Sequence, residues 1–305
     1  MIDTVIMTIR GDSGRAWRLN VTPDARTGAD HYTGHIGNIR IMENLDGVTF
    51  AGSIAKYQNG ENETALTREG LAAGFQKLQK ETGIQLQDAV LRRVDCGVCI
   101  ITEKPAADYL RNMGTASRYS KRVTYGRAGF LESVLYHTKT GATAFCAYDK
   151  NKEMQASGET IPEAYRGQNV LRLEYRILKR QGIRQLLGGD ADVSPWALTD
   201  AETWAALKHL FLNDYDSIEK TGRVVFTDGG QPITPAMLNN IIAEHYKQQN
   251  PEQYKALIQS LADCGRLSEK NLERIRAADR KDRANYSFSD TCEMVEELNE
   301  KIRVF

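Results

Sequence analysis

Three short stretches of this chain alternate apolar and polar residues with a period of two, and each gathers its charged or phenolic side chains on the face away from its apolar ones. In Thr143–Tyr148, Phe145 and Ala147 oppose Cys146 and Tyr148. The stretch runs straight into Lys150-Asn151-Lys152-Glu153, a charged helix start for which Asp149 is the N-cap. In Leu91–Val98, Val94, Cys96 and Val98 share one face, leaving Arg93 and Asp95 on the other beside Gly97, which opens space. In Leu171–Ile177, Leu171, Leu173, Tyr175 and Ile177 oppose Arg172, Glu174 and Arg176. Two of the strands thus present one carboxylate among arginines. An ordinary solvated sheet face with paired charges satisfies this pattern. So does a site in which Asp95 and Glu174 hold a divalent metal, the arginines surround a phosphodiester, and Tyr148 attacks it.

The surrounding pattern is mixed. Residues 2–10 alternate as a strand, and a polar loop follows around Thr22–Gly34. Ile39 and Ile41 lead through an Asp46-Gly47 turn to Val48 and Phe50. A helix with a Thr67 cap, a Leu66/Leu71 staple and a Gly83 stop buries Leu71, Phe75 and Leu78. Pro105 and Gly114 bracket a short helix, strands are expected near 130–137, 142–148 and 169–177, and a helix over Lys179–Leu187. Strands and helices without strict alternation predict an α+β class, a mainly antiparallel sheet with helices on one face. Gly188-Gly189-Asp190 and Pro195 interrupt the pattern, which predicts a domain of 1–190 carrying the chemistry and an all-helical domain of 191–305. In the latter, Thr199-Asp200-Ala201-Glu202 reads as a capping box, and Thr234-Pro235 and Asn250-Pro251 as helix starts.

With 40 Lys and Arg against 40 Asp and Glu, the chain lacks the global positive charge of many nucleic-acid binders. The charge is unevenly placed. Glu293, Glu296, Glu297 and Glu300 crowd the end, while Arg111, Arg118, Lys121, Arg122 and Arg127 alternate with Tyr119 and Tyr125 in what reads as a Gly- and Ser-containing loop. Cations and rings together suit a single nucleic-acid strand, and a solvated basic loop is the other reading. No apolar run is long enough for a bilayer, and five cysteines without framework spacing suit a reducing compartment, so a cytoplasmic location with no membrane partner is expected. Cys96 and Cys99 point to opposite strand faces and lack a second pair, which argues against zinc.

Taken in order, Arg93-Val94-Asp95, Tyr148-Asp149-Lys150 with Glu153, and Leu171-Arg172-Leu173-Glu174-Tyr175-Arg176 resemble the replication-initiation proteins of filamentous phages and related elements. Met1-Ile2-Asp3, the Gly34-His35 to Lys56 hairpin and Gly60-Glu61-Asn62 agree, and the resemblance covers roughly residues 1–190. It implies a rolling-circle initiator that nicks one strand at an origin and becomes linked to the 5′ end through tyrosine, on a broad sheet built from two ferredoxin- or RRM-like halves. Carried over, Tyr148 is the nucleophile, with Lys150 and Glu153 beside it, and Asp95 and Glu174 hold Mg²⁺ or Mn²⁺. Arg93, Arg172, Arg176, Arg118, Lys121, Arg122 and Arg127 face single-stranded or locally melted origin DNA. A host helicase and a second copy of the chain are the expected protein partners. The chain departs from distant initiators in having Gly97 and Cys99 where they carry a second carboxylate, and it has no His-hydrophobic-His pair. A conjugative relaxase would share this chemistry, and a non-catalytic single-strand-binding protein would share the surface.

Overall fold

The computed structural model describes residues 1–10, 22–24, 32–61, 64–127, 130–189, 191–220, 223–226, 234–249, 251–279, 286–289 and 293–304. Its frame is an antiparallel sheet of ten strands among these residues. In chain order the sheet strands are β1 (Ile2–Arg10), β2 (Thr22–Pro23), β3 (Tyr32–Ile36), β4 (Ile39–Asn44), β5 (Gly47–Ser53) and β6 (Val90–Thr102). A short strand outside it, β7 (Met113–Ala116), precedes β8 (Lys121–Arg127), β9 (Phe130–His137), β10 (Thr143–Asp149) and β11 (Asn169–Ile177). The spatial order β2-β3-β4-β5-β1-β6-β11-β10-β9-β8 puts β1, β6 and β11 at the centre and β8 at an edge. The α+β class and the antiparallel sheet are as expected from the sequence.

Local chemistry sets the turns as read. Gly47 follows the hairpin turn at φ 136, where a Cβ would stand 2.0 Å from the Ile9 carbonyl oxygen, so no larger residue fits. Helix α1 (Ile54–Asn59) is capped by Ser53, and α2 (Arg68–Thr82) by Thr67, whose hydroxyl accepts from Gly70 N at 3.1 Å. Gly83 closes α2 in the left-handed conformation. Helix α3 (Ala106–Asn112) starts one residue later than expected, with Pro105 as its cap. Helix α4 (Lys150–Ser157) is capped by Asp149, which accepts from Lys152 N at 3.1 Å, and α5 is Arg180–Leu187.

One face of the sheet carries the core. Val5, Met7, Phe50, Ile41, Val94, Cys96, Phe145, Leu173, Tyr175, Val134 and Tyr136 are buried there with Leu71, Phe75 and Leu78 of α2. The expected division at residue 190 does not describe the packing. The compact units are 1–221 with 293–305, and 222–292. Helix α6 (Ala201–Asp216) buries Leu207, Phe211 and Tyr215, with the Phe211 ring 5.6 Å from that of Phe145, and α10 (Glu293–Val304) buries Leu298 and Ile302. Their apolar stripes complete the core of the first unit, which is why composition alone misplaces the boundary. The C-terminal third is mostly helical but also holds β12 (Ile218–Lys220), paired with β7, so it is not all-helical. Asp200, not Thr199, caps α6, and its side chain makes no capping bond. The second unit pairs β13 (Arg223–Phe226) with β14 (Tyr286–Ser289) and contains α7 (Pro235–Gln249), α8 (Pro251–Asp263) and α9 (Glu269–Asp279). Thr234 caps α7 as expected, accepting from Met237 N at 3.2 Å, while Asn250 lies outside the described residues, as does most of the expected 22–34 loop.

Because α6 belongs to the core, Phe211→Ala is expected to cost about 3–5 kcal/mol. A fragment of residues 1–193 should lack a cooperative unfolding transition. Urea denaturation followed by circular dichroism checks both, and a 1–193 fragment as stable as the full chain would contradict this packing.

Candidate active site

On the face opposite the core, register builds a charged cluster. Across β6, β11 and β10 the rows are Cys99–Arg172–Tyr148, Gly97–Glu174–Cys146 and Asp95–Arg176–Ala144. Glu174, Arg172 and Tyr148 therefore meet, although the tyrosine and the glutamate stand 26 residues apart in the chain. The Tyr148 hydroxyl donates to Glu174 Oε1 at 2.7 Å, and Arg172 Nε donates to the same oxygen at 2.6 Å. Arg176 Nε donates to Glu174 Oε2 at 2.8 Å. Arg93 grips Asp95 with Nε at 2.8 Å and Nη2 at 2.5 Å. Arg172 Nη2 reaches Asp3 on β1 at 2.5 Å, and Asp3 in turn accepts from the Ser53 hydroxyl at the head of α1. Gly97 permits this close set, since a Cβ there would lie 3.0 Å from Glu174 Cγ and 3.2 Å from Arg172 Nη2.

The sequence reading of Gly97 and of a shared face for Arg93, Asp95, Tyr148 and Glu174 agrees with this geometry. Asp3 is not among the sequence candidates. Its signal is a lone carboxylate in an apolar strand opening, and only the β1–β6 pairing, distant in sequence, brings it in.

The arginines divide by burial. Arg172 is 2% exposed, so it organises the cluster and cannot itself grip DNA from this position. Arg93 and Arg176 keep part of their guanidinium surface open. Two of the expected DNA contacts lie elsewhere. Residues 121–127 form the edge strand β8, not a loop. Arg122 shares a row with Tyr136 and Phe145 on the core face and donates to the Met113 carbonyl at 2.8 Å. Arg118 pairs with the buried Asp214 of α6, to which Tyr119 also donates. Lys121 is exposed on the site face, and the Arg127 side chain lies outside the described residues.

Lys150 is buried at the start of α4, with Nζ 2.8 Å from Glu153 Oε2. Glu153 is exposed and near enough for its charge to act on the Tyr148 phenol. Cys99 stands beside Arg172, whose Nη1 is 3.2 Å from its sulfur, while Cys96 is in the core.

Burial and then the arginines decide the ionisation. Burial alone would raise Glu174, but Arg172 and Arg176, with the Arg172 and Tyr148 hydrogen bonds, hold it at about 2. Burial raises Asp95 despite Arg93. Burial, then the Glu174 charge, raises the Tyr148 phenol far above its ordinary value, so it rests protonated.

The expected Mg²⁺ or Mn²⁺ does not fit these residues as they stand. Asp3, Asp95 and Glu174 are matched by the guanidinium groups of Arg172, Arg93 and Arg176, and a dication would enter beside three positive charges. Among the described residues no group of three or more His, Cys, Asp or Glu could hold a metal ion.

A family model for the N-terminal region of a phage replication-associated protein matches residues 1–193. Among solved structures, a rolling circle replication initiator protein from Geobacillus stearothermophilus is similar over 79% of this chain and 94% of that one, at 13% identity and a TM-score of 0.41. No curated protein matches. No described helix is long and apolar enough to cross a membrane.

Since Glu174 has a folded pKa of about 2 against an ordinary 4.5, its contribution to stability is whole above pH 4.5 and is lost as pH falls towards 2. Asp95, raised by burial, works in the opposite sense and offsets part of that loss. Glu174→Gln should flatten the acid limb between pH 4.5 and 2 and, by removing one of the buried carboxylates that pair with Arg172, cost about 3–5 kcal/mol at neutral pH. Denaturant titrations from pH 6 to 2 on both proteins test this; an unchanged acid limb would remove Glu174 from the stability of this face.

Proposed function

We propose, from the premise that this chain belongs to the replication-associated protein family of phage-type rolling-circle initiators, that it opens one strand of origin DNA by attack of Tyr148 on a backbone phosphodiester. The observation that carries the reading is the Tyr148 hydroxyl, aimed at Glu174 at 2.7 Å on an arginine-bearing face outside the core. In the proposed step Tyr148 Oη bonds to phosphorus as the P–O3′ bond breaks. The 3′ oxygen leaves and takes up a proton, and the 5′ phosphate stays esterified to the tyrosine. One phosphodiester replaces another, so the returning 3′ hydroxyl can rejoin the strand without ATP.

Each group has a part in this reading. Arg93 and Arg176, the guanidinium groups with open surface, hold the phosphate through paired N–H donors. Arg172 fixes Glu174, and Glu174 orients the phenol. A free tyrosine, with a pKa near 10, is ionised in only about one molecule in a thousand at neutral pH, and this one is held further up. Phosphate arrival relieves that restraint: as Arg176 turns to the phosphate, its hold on Glu174 loosens and the carboxylate becomes a better acceptor for the phenolic proton. Lys150, buried at the strand end, acts on the site through its charge and holds Glu153, which is placed as a base for the step that ends a round.

Incubation with 3′-labelled single-stranded DNA drawn from a random-sequence pool should give a denaturant-resistant protein–DNA band. Tyr148→Phe should abolish the band and leave binding intact, while Arg176→Ala should slow its formation by about 10²–10³-fold. Tyr136→Phe should not matter, because that hydroxyl donates to the Gly114 carbonyl on the other face. The same band from Tyr148→Phe would place the nucleophile elsewhere.

A further inference from the structure

The row that holds Tyr148 does not end at the cluster. Strand β9 pairs with β10 and β8 with β9, so the sequence of neighbours continues Arg172–Tyr148–Ser133–Tyr125 to the sheet edge. The next rows continue as Glu174–Cys146–Leu135–Val123 and Arg176–Ala144–His137–Lys121. All of these side chains share the face of the nucleophile, because residues opposite one another in a ladder point the same way. On β8 and β9 that face is open: Ser133, Leu135, His137 and Val123 are half-buried, Lys121 is exposed, and Tyr125 is 55% exposed. The reverse face of the same two strands is closed along β9, with Val134 and Tyr136 fully buried.

We infer that this shelf over β9 and β8 is the track along which the single DNA strand reaches Tyr148, with Tyr125 as the platform on which a base beside the scissile phosphate stacks. The inference rests on the nicking reading above and adds to it the path of the strand. Two strand spacings separate Tyr125 from Tyr148, about 10 Å, so both can touch one short stretch of polynucleotide. The composition suits that ligand. None of the six shelf residues on β8 and β9, Lys121, Val123, Tyr125, Ser133, Leu135 and His137, is a carboxylate, and Lys121 supplies a cation. Arg176 lies at the other end of the Lys121 row. An exposed ring on the same strand and face as Lys121 gives stacking and phosphate contact without reading sequence. A protein partner would seek a wider apolar surface than Val123 and Leu135 offer.

The test is the affinity of the full chain for a fluorescent single-stranded oligonucleotide, measured by anisotropy at fixed salt, beside the covalent-band assay. Loss of one stacked base corresponds to roughly 5- to 150-fold weaker binding, and that is the effect expected of Tyr125→Ala. Tyr125→Phe should keep the affinity, because it keeps the ring. Lys121→Ala should weaken binding and reduce its salt dependence. Thr124→Ala, one residue along and on the opposite face, is the control for folding and should bind as wild type. Wild-type affinity for both Tyr125→Ala and Lys121→Ala, with the covalent band intact, would overturn the track while leaving the nicking reading in place. Loss of affinity in Tyr125→Ala together with a band that survives Tyr148→Phe would keep the track and overturn the nucleophile. A band that depends on the Tyr125 hydroxyl would overturn the stacking role.

Discussion

Arg172 is the side chain on which the rest of this face depends. It is fully buried at the meeting of β1, β6 and β11, and one guanidinium joins Asp3, Glu174 and the Cys99 sulfur. A buried guanidinium is tolerable only when its N–H groups are met by acceptors, and the planar fork meets carboxylates on two strands at once. Lysine at this position could not reproduce that geometry. The pairing ties the N-terminal strand to a strand 169 residues away, and so fixes which halves of the sheet lie side by side.

From that pairing the other constraints follow. Glu174 cannot rotate, because Arg172 and Arg176 hold both of its oxygens, and the phenol of Tyr148 is aimed by an immobile acceptor. Gly97 is required opposite Glu174 because a methyl group would press on both the carboxylate and the guanidinium. The same arginines that organise the resting face are the groups a phosphodiester would attract. Carboxylate and phosphate then compete for guanidinium, and this couples substrate arrival to activation of the nucleophile in the proposed chemistry.

Much of this is legible in the sequence, for a physical reason. Period-two alternation places Tyr148, Asp95 and Glu174 on polar faces, and the turn and cap residues Gly47, Thr67, Gly83 and Asp149 locate the elements that carry them. What alternation leaves open is which strands are neighbours. Asp3 and the β8 shelf become visible only through long-range register, and Lys121 and Arg122 read alike in a basic cluster although adjacent strand residues face opposite ways. Burial is equally hidden: Arg172 reads as a DNA contact until its pairing removes it from the surface, and α6 and α10 read as a separate domain until their apolar stripes meet the sheet.

The central claim, that Tyr148 becomes covalently joined to DNA, is most directly tested by locating the modified residue. The covalent complex would be digested with nuclease and trypsin and the nucleotide-bearing peptide sequenced by mass spectrometry. Cleavage after Lys139 and Lys150 isolates Thr140–Lys150, in which Tyr148 is the sole tyrosine, and separates it from the peptide carrying Tyr136. The account predicts a nucleotide on Tyr148 in Thr140–Lys150; a nucleotide on any other peptide, with this one unmodified, would contradict it.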